Sequence, residues 1–273
     1  MEITKGTNKI LIKDDGQFNI DHILNCGQVF RYKKIDNEYH IISLDKKAVV
    51  IQNGNNIEIK TKDVKYFYNY FDLDTDYNKI KKELIKKGID KKAIEYGSGI
   101  RILKQDKYEI IISFIISQNN NIKRIQNIVE TMSEKAGKQI DDYYAFPTNE
   151  ALKTRKKDFF NKIGCGYRSD YLVETIKQLS HFDYKENLST QELREYLLKL
   201  KGVGPKVADC ILLFGYNRLD SFPCDTWIEK IYHEYFETGL KNPKCISDYL
   251  VSRFKDLSGY AQQYLFYYKR SNK

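Results

Sequence analysis

The sequence predicts an α+β fold, an N-terminal antiparallel β domain followed by an all-helical region, and three observations predict it. Up to Lys60 the apolar residues fall in short strand-like runs separated by turn residues. Beyond Asp63 the apolar spacing becomes helical and stays so toward the C-terminus. Around residues 191–216 an amphipathic stretch and an apolar one are joined by Gly-Val-Gly-Pro, which reads as two helices around a tight turn. The division falls at residue 75, with a β-rich unit over 1–75 and a helical unit over 76–273.

The elements follow in order. KILIK, QVFRYKK, YHIIS, AVVIQ and IEIK read as strands, and DDG, IDNE, LDKK and NGNN between them read as turns, so the sheet is built of hairpins. DVKYFYNYF, DYNKIKKELIKKG and the apolar run from Tyr108 to Ser117 open the helical part. Three asparagines, Asn119 to Asn121, separate that run from the helix IKRIQNIVETM; such a triplet is most simply a turn with a cap.

Residues 200–225, LKGVGPKVADCILLFGYNRLDSFPCD, carry the densest chemical signal. Gly202 and Gly204 flank Val203 in the turn, and Pro205 suits the first position of the second helix, where its missing N–H is not needed. The N–H groups of Val203, Gly204 and Lys206 are then expected to face an anionic phosphate at the positive end of the helix dipole. A lysine there opposes the dipole by about 0.3–1 kcal/mol. Dipole and partial burial both favour the neutral amine, which is a nucleophile able to form a Schiff base. The competing reading of Lys206 is a surface cation paired with Asp209. Asp225 lies 19 residues after Lys206 at a new helix start. It suits an N-cap, with Thr226 and Glu229 as a competing capping box, and it equally suits a catalytic carboxylate that takes a proton and stabilises positive charge.

Composition narrows the function classes. The chain has 273 residues, 41% hydrophobic, and a net charge of +9 from 46 basic and 37 acidic side chains, which fits attraction to nucleic acid. No apolar run approaches a membrane span and the N-terminus lacks a signal-peptide core, so a cytoplasmic protein without membrane association is expected, nucleoid-associated in a prokaryote. Cysteines 26, 165, 210, 224 and 245 are odd in number and form no CxxC pair, so neither a disulfide framework nor a zinc site is indicated. The four histidines show no ligand spacing.

The hairpin with Lys206 and Asp225 resembles the helix-hairpin-helix, Gly/Pro-Asp motif of DNA base-excision glycosylases, in the lysine-bearing 8-oxoguanine DNA glycosylase/AP lyase branch. The run from Cys26 to Arg31, CGQVFR, is similar to that family too, as are GIRILKQD, SFIISQNNNIKRI, GCGYR and GYAQQYLF, all in the family's order. The resemblance implies two all-helical lobes behind the β domain and a helix-hairpin-helix DNA-binding motif. It implies Lys206 as nucleophile with Asp225 assisting, and Val203, Gly204 and Lys206 at a DNA phosphate.

For the damaged base the resemblance implies Gly27, whose carbonyl would accept from the N7 hydrogen that distinguishes 8-oxoguanine from guanine. Gln262 would meet the Watson–Crick edge, while Phe266 and Cys210 would sandwich the ring; spacing alone reads those last two as core. Gly27 and Phe266 are thereby expected in one pocket. Asn119, Arg124, Tyr167 and Arg168 would fill the vacated space and read the opposite base. Trp227 departs from the family, where many relatives have a histidine contacting a phosphate.

The expected partner is therefore double-stranded DNA containing 8-oxoguanine, preferably opposite cytosine, bound by a monomer. No organic cofactor, catalytic metal or iron–sulfur cluster is expected, since no cysteine follows Cys245. A structural cation at the carbonyls of residues 200–203 is compatible with the resemblance. The rivals are a glycosylase for alkylated bases using Asp225 and water, which Lys206 argues against, and a non-enzymatic DNA-binding module.

Overall fold

The computed structural model of the chain describes residues 1–236 and 239–271. Strands β1 (Glu2–Lys5), β2 (Lys9–Lys13), β3 (Tyr32–Ile35), β4 (Glu38–Ser43), β5 (Lys46–Asn53) and β6 (Asn56–Lys60) form one antiparallel sheet in the order β1-β2-β6-β5-β4-β3, with helix α1 (Ile20–Asn25) between β2 and β3. Helices α2 (Val64–Tyr70), α3 (Tyr77–Lys86), α4 (Lys91–Tyr96), α5 (Lys107–Ser117) and α6 (Ile122–Ala136) follow. A ribbon of β7 (Gln139–Ile140) and β8 (Tyr143–Tyr144) leads to α7 (Asn149–Lys153), α8 (Lys157–Lys162), α9 (Arg168–Leu179) and α10 (Thr190–Leu197). The chain continues through α11 (Pro205–Phe214), α12 (Thr226–Tyr235), α13 (Pro243–Phe254) and α14 (Ser258–Ser271).

Alternation makes the sheet one-sided. Ile10, Ile12, Tyr39, Ile41, Ala48, Val50, Ile57 and Ile59 turn inward against Phe67, Tyr70 and Phe71, and each fully buried aliphatic or aromatic side chain contributes about 1.5–3 kcal/mol. Three details differ from the sequence reading. β1 has only one apolar residue among EITK, and is a strand because Glu2 to Lys5 find partners along β2. Residues 28–30 of QVFRYKK leave the ladder, and the Gln28 side chain is drawn into a buried network beneath α1. The helical region also contains the β7–β8 ribbon, turned at Asp141 with φ 48° and held to the sheet by Lys47–Asp142 and Lys62–Asp141 pairs.

Helix starts are set locally. Asp76, Asp106 and Asn121 cap α3, α5 and α6 by accepting from backbone N–H groups, and Ser189 with Glu192 forms a capping box on α10. The second hydrophobic cluster spans α5, α9, α11, α12 and α14, with α5, buried from Glu109 to Ile116, packed beside α11.

Glu109 ties the sheet to this cluster. Its Oε2 accepts from the N–H of Leu44 at 2.8 Å, and Leu44 holds a left-handed φ of 53° in the β4–β5 turn. Burial pushes the Glu109 carboxyl up to about 7, against the lowering influence of Arg31 and the Leu44 N–H. The unfolded chain releases this proton first, so stability from Glu109 is full below pH 4.5 and falls as pH rises through 7. Urea titrations of the wild type and Glu109→Gln across that window should diverge by on the order of 3 kcal/mol, the wild type losing stability with pH. Parallel profiles would rule out a buried neutral Glu109.

Candidate active site

The hairpin between α10 and α11 is built as a turn in which Gly202 takes φ 79° and the N–H of Val203 donates to Leu200 O at 3.1 Å. Val203 therefore does not offer a free N–H, contrary to the sequence reading: the turn itself consumes it. Gly204 is the N-cap of α11 without a side-chain cap, Pro205 occupies the first turn, and no described residue accepts from the N–H of Gly204 or Lys206. A Cβ at Gly202 would lie 2.6 Å from Tyr171, whereas Gly204 faces open space. The hairpin thus presents bare backbone outward and packs tightly behind.

Lys206 is solvent-accessible while protein surrounds it on most sides, as befits a side chain in a cleft mouth. Its amine contacts the Cys210 sulfur, one helical turn on, and lies 5.8 Å from the centre of the Phe114 ring. The Cys210 sulfur and the Asp225 carboxylate raise the Lys206 pKa, against desolvation, which lowers it. This direction runs against the expectation of a neutral amine, with the Cys210 sulfur as the largest influence and the Asp225 carboxylate adding to it. Burial pushes the Cys210 thiol itself up to about 11.

Asp225 is the N-cap of α12: its Oδ1 accepts from the N–H groups of Trp227 and Ile228, each at 3.0 Å. Both bonds use one oxygen, so the cap leaves the other oxygen uncommitted. The Thr226–Glu229 capping box does not form, since Thr226 is already inside the helix. Asp209 pairs with Arg194 at 2.6 Å, and so is not the partner of Lys206.

The other predicted residues fall into two groups. Gly27 has φ 84°, and a Cβ there would meet Phe266 at 3.1 Å, so the two ends of the chain do meet. Gln262 is buried on α14, donating to Pro223 O at 3.4 Å and accepting from Gln263 at 2.7 Å, which ties it to the segment carrying Asp225. In the second group, Asn121 caps α6 and Asn120 donates to Ile116 O, leaving Asn119 as the exposed asparagine with φ 45° and an unbonded side chain among the described residues. Tyr167 is 52% exposed and stands edge-on to Tyr171. Arg124 is exposed and donates to Gly164 O at 3.2 Å.

Arg168 departs from its expected posture. It is 4% exposed, donating to Gln118 O at 2.7 Å, Asn119 O at 2.8 Å and Cys165 O at 3.2 Å. A guanidinium committed to the carbonyls ending α5 supports the asparagine turn and does not face a base. Sequence reasoning missed Gln118, whose side chain donates to Gly202 O at 2.9 Å and so joins the asparagine turn to the hairpin. It also missed Lys230, which lies 4.8 Å over the Trp227 ring. The spacing of three from Trp227 was the available signal for Lys230; nothing in sequence marked Gln118.

A lysine amine at the start of the second hairpin helix, with an aspartate carboxylate within electrostatic reach, defines the class as a helix-hairpin-helix fold with a lysine-centred site. Residues 10–111 match the profile of the 8-oxoguanine DNA glycosylase N-terminal domain. The chain is 38% identical to the Clostridium acetobutylicum 8-oxoguanine glycosylase/lyase solved with double-stranded DNA containing cytosine opposite 8-oxoG. That superposition covers 100% of this chain and 98% of that one, with a TM-score of 0.94. It is 35% identical to a Saccharomyces cerevisiae N-glycosylase/DNA lyase over 49% of this chain and 41% of that protein, and 33% identical to an Arabidopsis thaliana N-glycosylase/DNA lyase over 62% and 51%. The chain spans about half the length of these two curated relatives. The chain belongs to the 8-oxoguanine DNA glycosylase/lyase family. Among the described residues no helix is long and apolar enough to cross a membrane.

Proposed function

We propose that this protein excises 8-oxoguanine from duplex DNA and cleaves the strand at the resulting site. The observation that carries this reading is the Lys206 amine in the first turn of α11, against the Cys210 sulfur and 5.8 Å from the Phe114 ring centre, with the Asp225 carboxylate within electrostatic reach. Lys206 gives up a proton toward Asp225, and its nitrogen bonds to the sugar C1′ as the glycosidic bond breaks and the base departs. Cleavage of the C1′–O4′ bond, with a proton passing to O4′, then gives a Schiff base that acidifies the adjacent C2′ hydrogen, whose removal expels the 3′ phosphate.

Substrate choice rests on the slot. Among the described residues nothing donates to the Gly27 carbonyl, and Phe266 packs against that glycine, so an N7 hydrogen finds an acceptor beside an aromatic face. Asn119, Tyr167 and Arg124 serve the opposite base, with Arg168 holding their turn. The free N–H groups of Gly204 and Lys206 meet a phosphate, and Lys230 on Trp227 supplies a cation near the position where many relatives have histidine. Of the hairpin carbonyls open to a structural cation, those of Leu200, Lys201 and Gly202 already accept from the Val203 N–H, Thr175 and Gln118, which leaves that of Val203 without a donor among the described residues. Such neutral oxygens suit a hard cation that offsets phosphate charge.

The test is excision from defined duplexes. The protein should release 8-oxoguanine far faster than 3-methyladenine and give a borohydride-trapped adduct; faster release of alkylated purines without an adduct would assign it to the alkylation-repair chemistry. Cytosine opposite the lesion should be preferred over adenine about tenfold or more, and Arg124→Ala should erode that preference, since a bidentate arginine contact gives about 1–3 kcal/mol of discrimination. A flat profile across the four opposite bases would leave Arg124 a backbone contact only.

A further inference from the structure

The geometry points to Gln28 as the positioning residue that fixes the Gly27 carbonyl, and hence as a determinant of lesion choice; the inference rests on the reading of Gly27 as the N7 sensor. Gln28 is fully buried. Its Nε2 donates to Arg101 O at 2.8 Å and Ile23 O at 3.0 Å and contacts Cys26 Sγ at 3.2 Å, while its Oε1 accepts from Leu103 N at 2.9 Å. Its own carbonyl accepts from Gln105 Nε2 at 2.9 Å, and the carbonyl of Asn25 accepts from Arg270. The carbonyls of Asn25 and Gln28 are thus engaged, whereas those of Cys26 and Gly27 have no donor among the described residues.

The frame beneath is rigid for a physical reason. Arg101, also fully buried, donates to Phe71 O at 2.8 Å, Gln17 O at 2.9 Å and Thr75 O at 3.0 Å, and its guanidinium lies 4.1 Å over Tyr77. Every bond of this network replaces water that a buried group cannot recover, so the 26–28 turn has one low-energy position against the 101–103 segment. A glycine at φ 84° has no side chain of its own to hold it. Gln28 supplies the restraint from the next residue. A hydrogen bond to the lesion spans about 2.7–3.2 Å, and displacement of an acceptor by about 1 Å forfeits it, so the restraint decides whether an N7 hydrogen is felt at all.

The experiment compares two reactions of the same protein. Excision of 8-oxoguanine needs the base sensor; strand cleavage at a preformed abasic site uses the same lysine and has no base to sense. Gln28→Met keeps length and volume and removes the hydrogen bonds. It should lose single-turnover excision of 8-oxoguanine at least tenfold more than it loses abasic-site cleavage. Equal losses in the two reactions, or no loss in either, would overturn the inference. Should Gln28→Met not fold, Gln105→Met, which removes only the donor to the Gln28 carbonyl, is read by the same ratio with a smaller expected bias of about threefold. A wild-type protein that fails to prefer 8-oxoguanine over guanine would instead refute the Gly27 reading itself, an outcome separate from either variant.

Discussion

Lys206→Gln is expected to abolish both base release and borohydride trapping while binding 8-oxoguanine duplexes within a few-fold of wild type. Binding rests on the hairpin N–H groups and basic side chains elsewhere, and glutamine keeps most of the stem that packs beside Cys210 and Phe114. Chemistry loses its nucleophile, for which we expect a rate loss of about 10⁴ or more, equivalent to about 5.5 kcal/mol. Stopped excision with intact binding separates the roles. A covalent adduct formed by this variant would move the nucleophile to another residue.

Asp225→Asn is expected to slow excision by about 10²–10³ while changing stability little. Asparagine caps a helix as well as aspartate does, so the bonds to Trp227 and Ile228 survive, and only the charge facing the amine is removed. Asp225→Ala adds the loss of the cap, about 1 kcal/mol, visible as a lower unfolding midpoint. Single-turnover rates and urea titrations of the pair thus resolve two functions of one side chain. An asparagine variant with wild-type rate would reduce Asp225 to a helix cap.

Much of the frame was legible because it is set over short distances along the chain. Alternating isoleucines and valines determined which face of β2, β4, β5 and β6 is buried, since side chains of a strand alternate whatever the rest of the fold does. Pro205 and Asp225 marked helix starts through ring geometry or bonds within one turn. The hairpin and the proximity in sequence of Lys206 and Asp225 were likewise visible, and the family resemblance supplied the pairing of Gly27 with Phe266.

What the sequence by itself determined, then, is the β-to-helical order, the buried faces and the hairpin; tertiary structure decided the state of the groups placed on that frame. The Val203 N–H is consumed by its own turn, and Arg168 is turned inward because α9 begins beneath the open carbonyls of α5. The Lys206 pKa is raised by a sulfur one turn along its own helix and by a carboxylate that packing brings within electrostatic reach. Gln28 and Arg101 find their acceptors across the join of sheet and helices. Periodicity records which side of an element meets the core, but a proton's position and a guanidinium's partners depend on the summed field and on free carbonyls nearby, and these exist only once distant segments have packed.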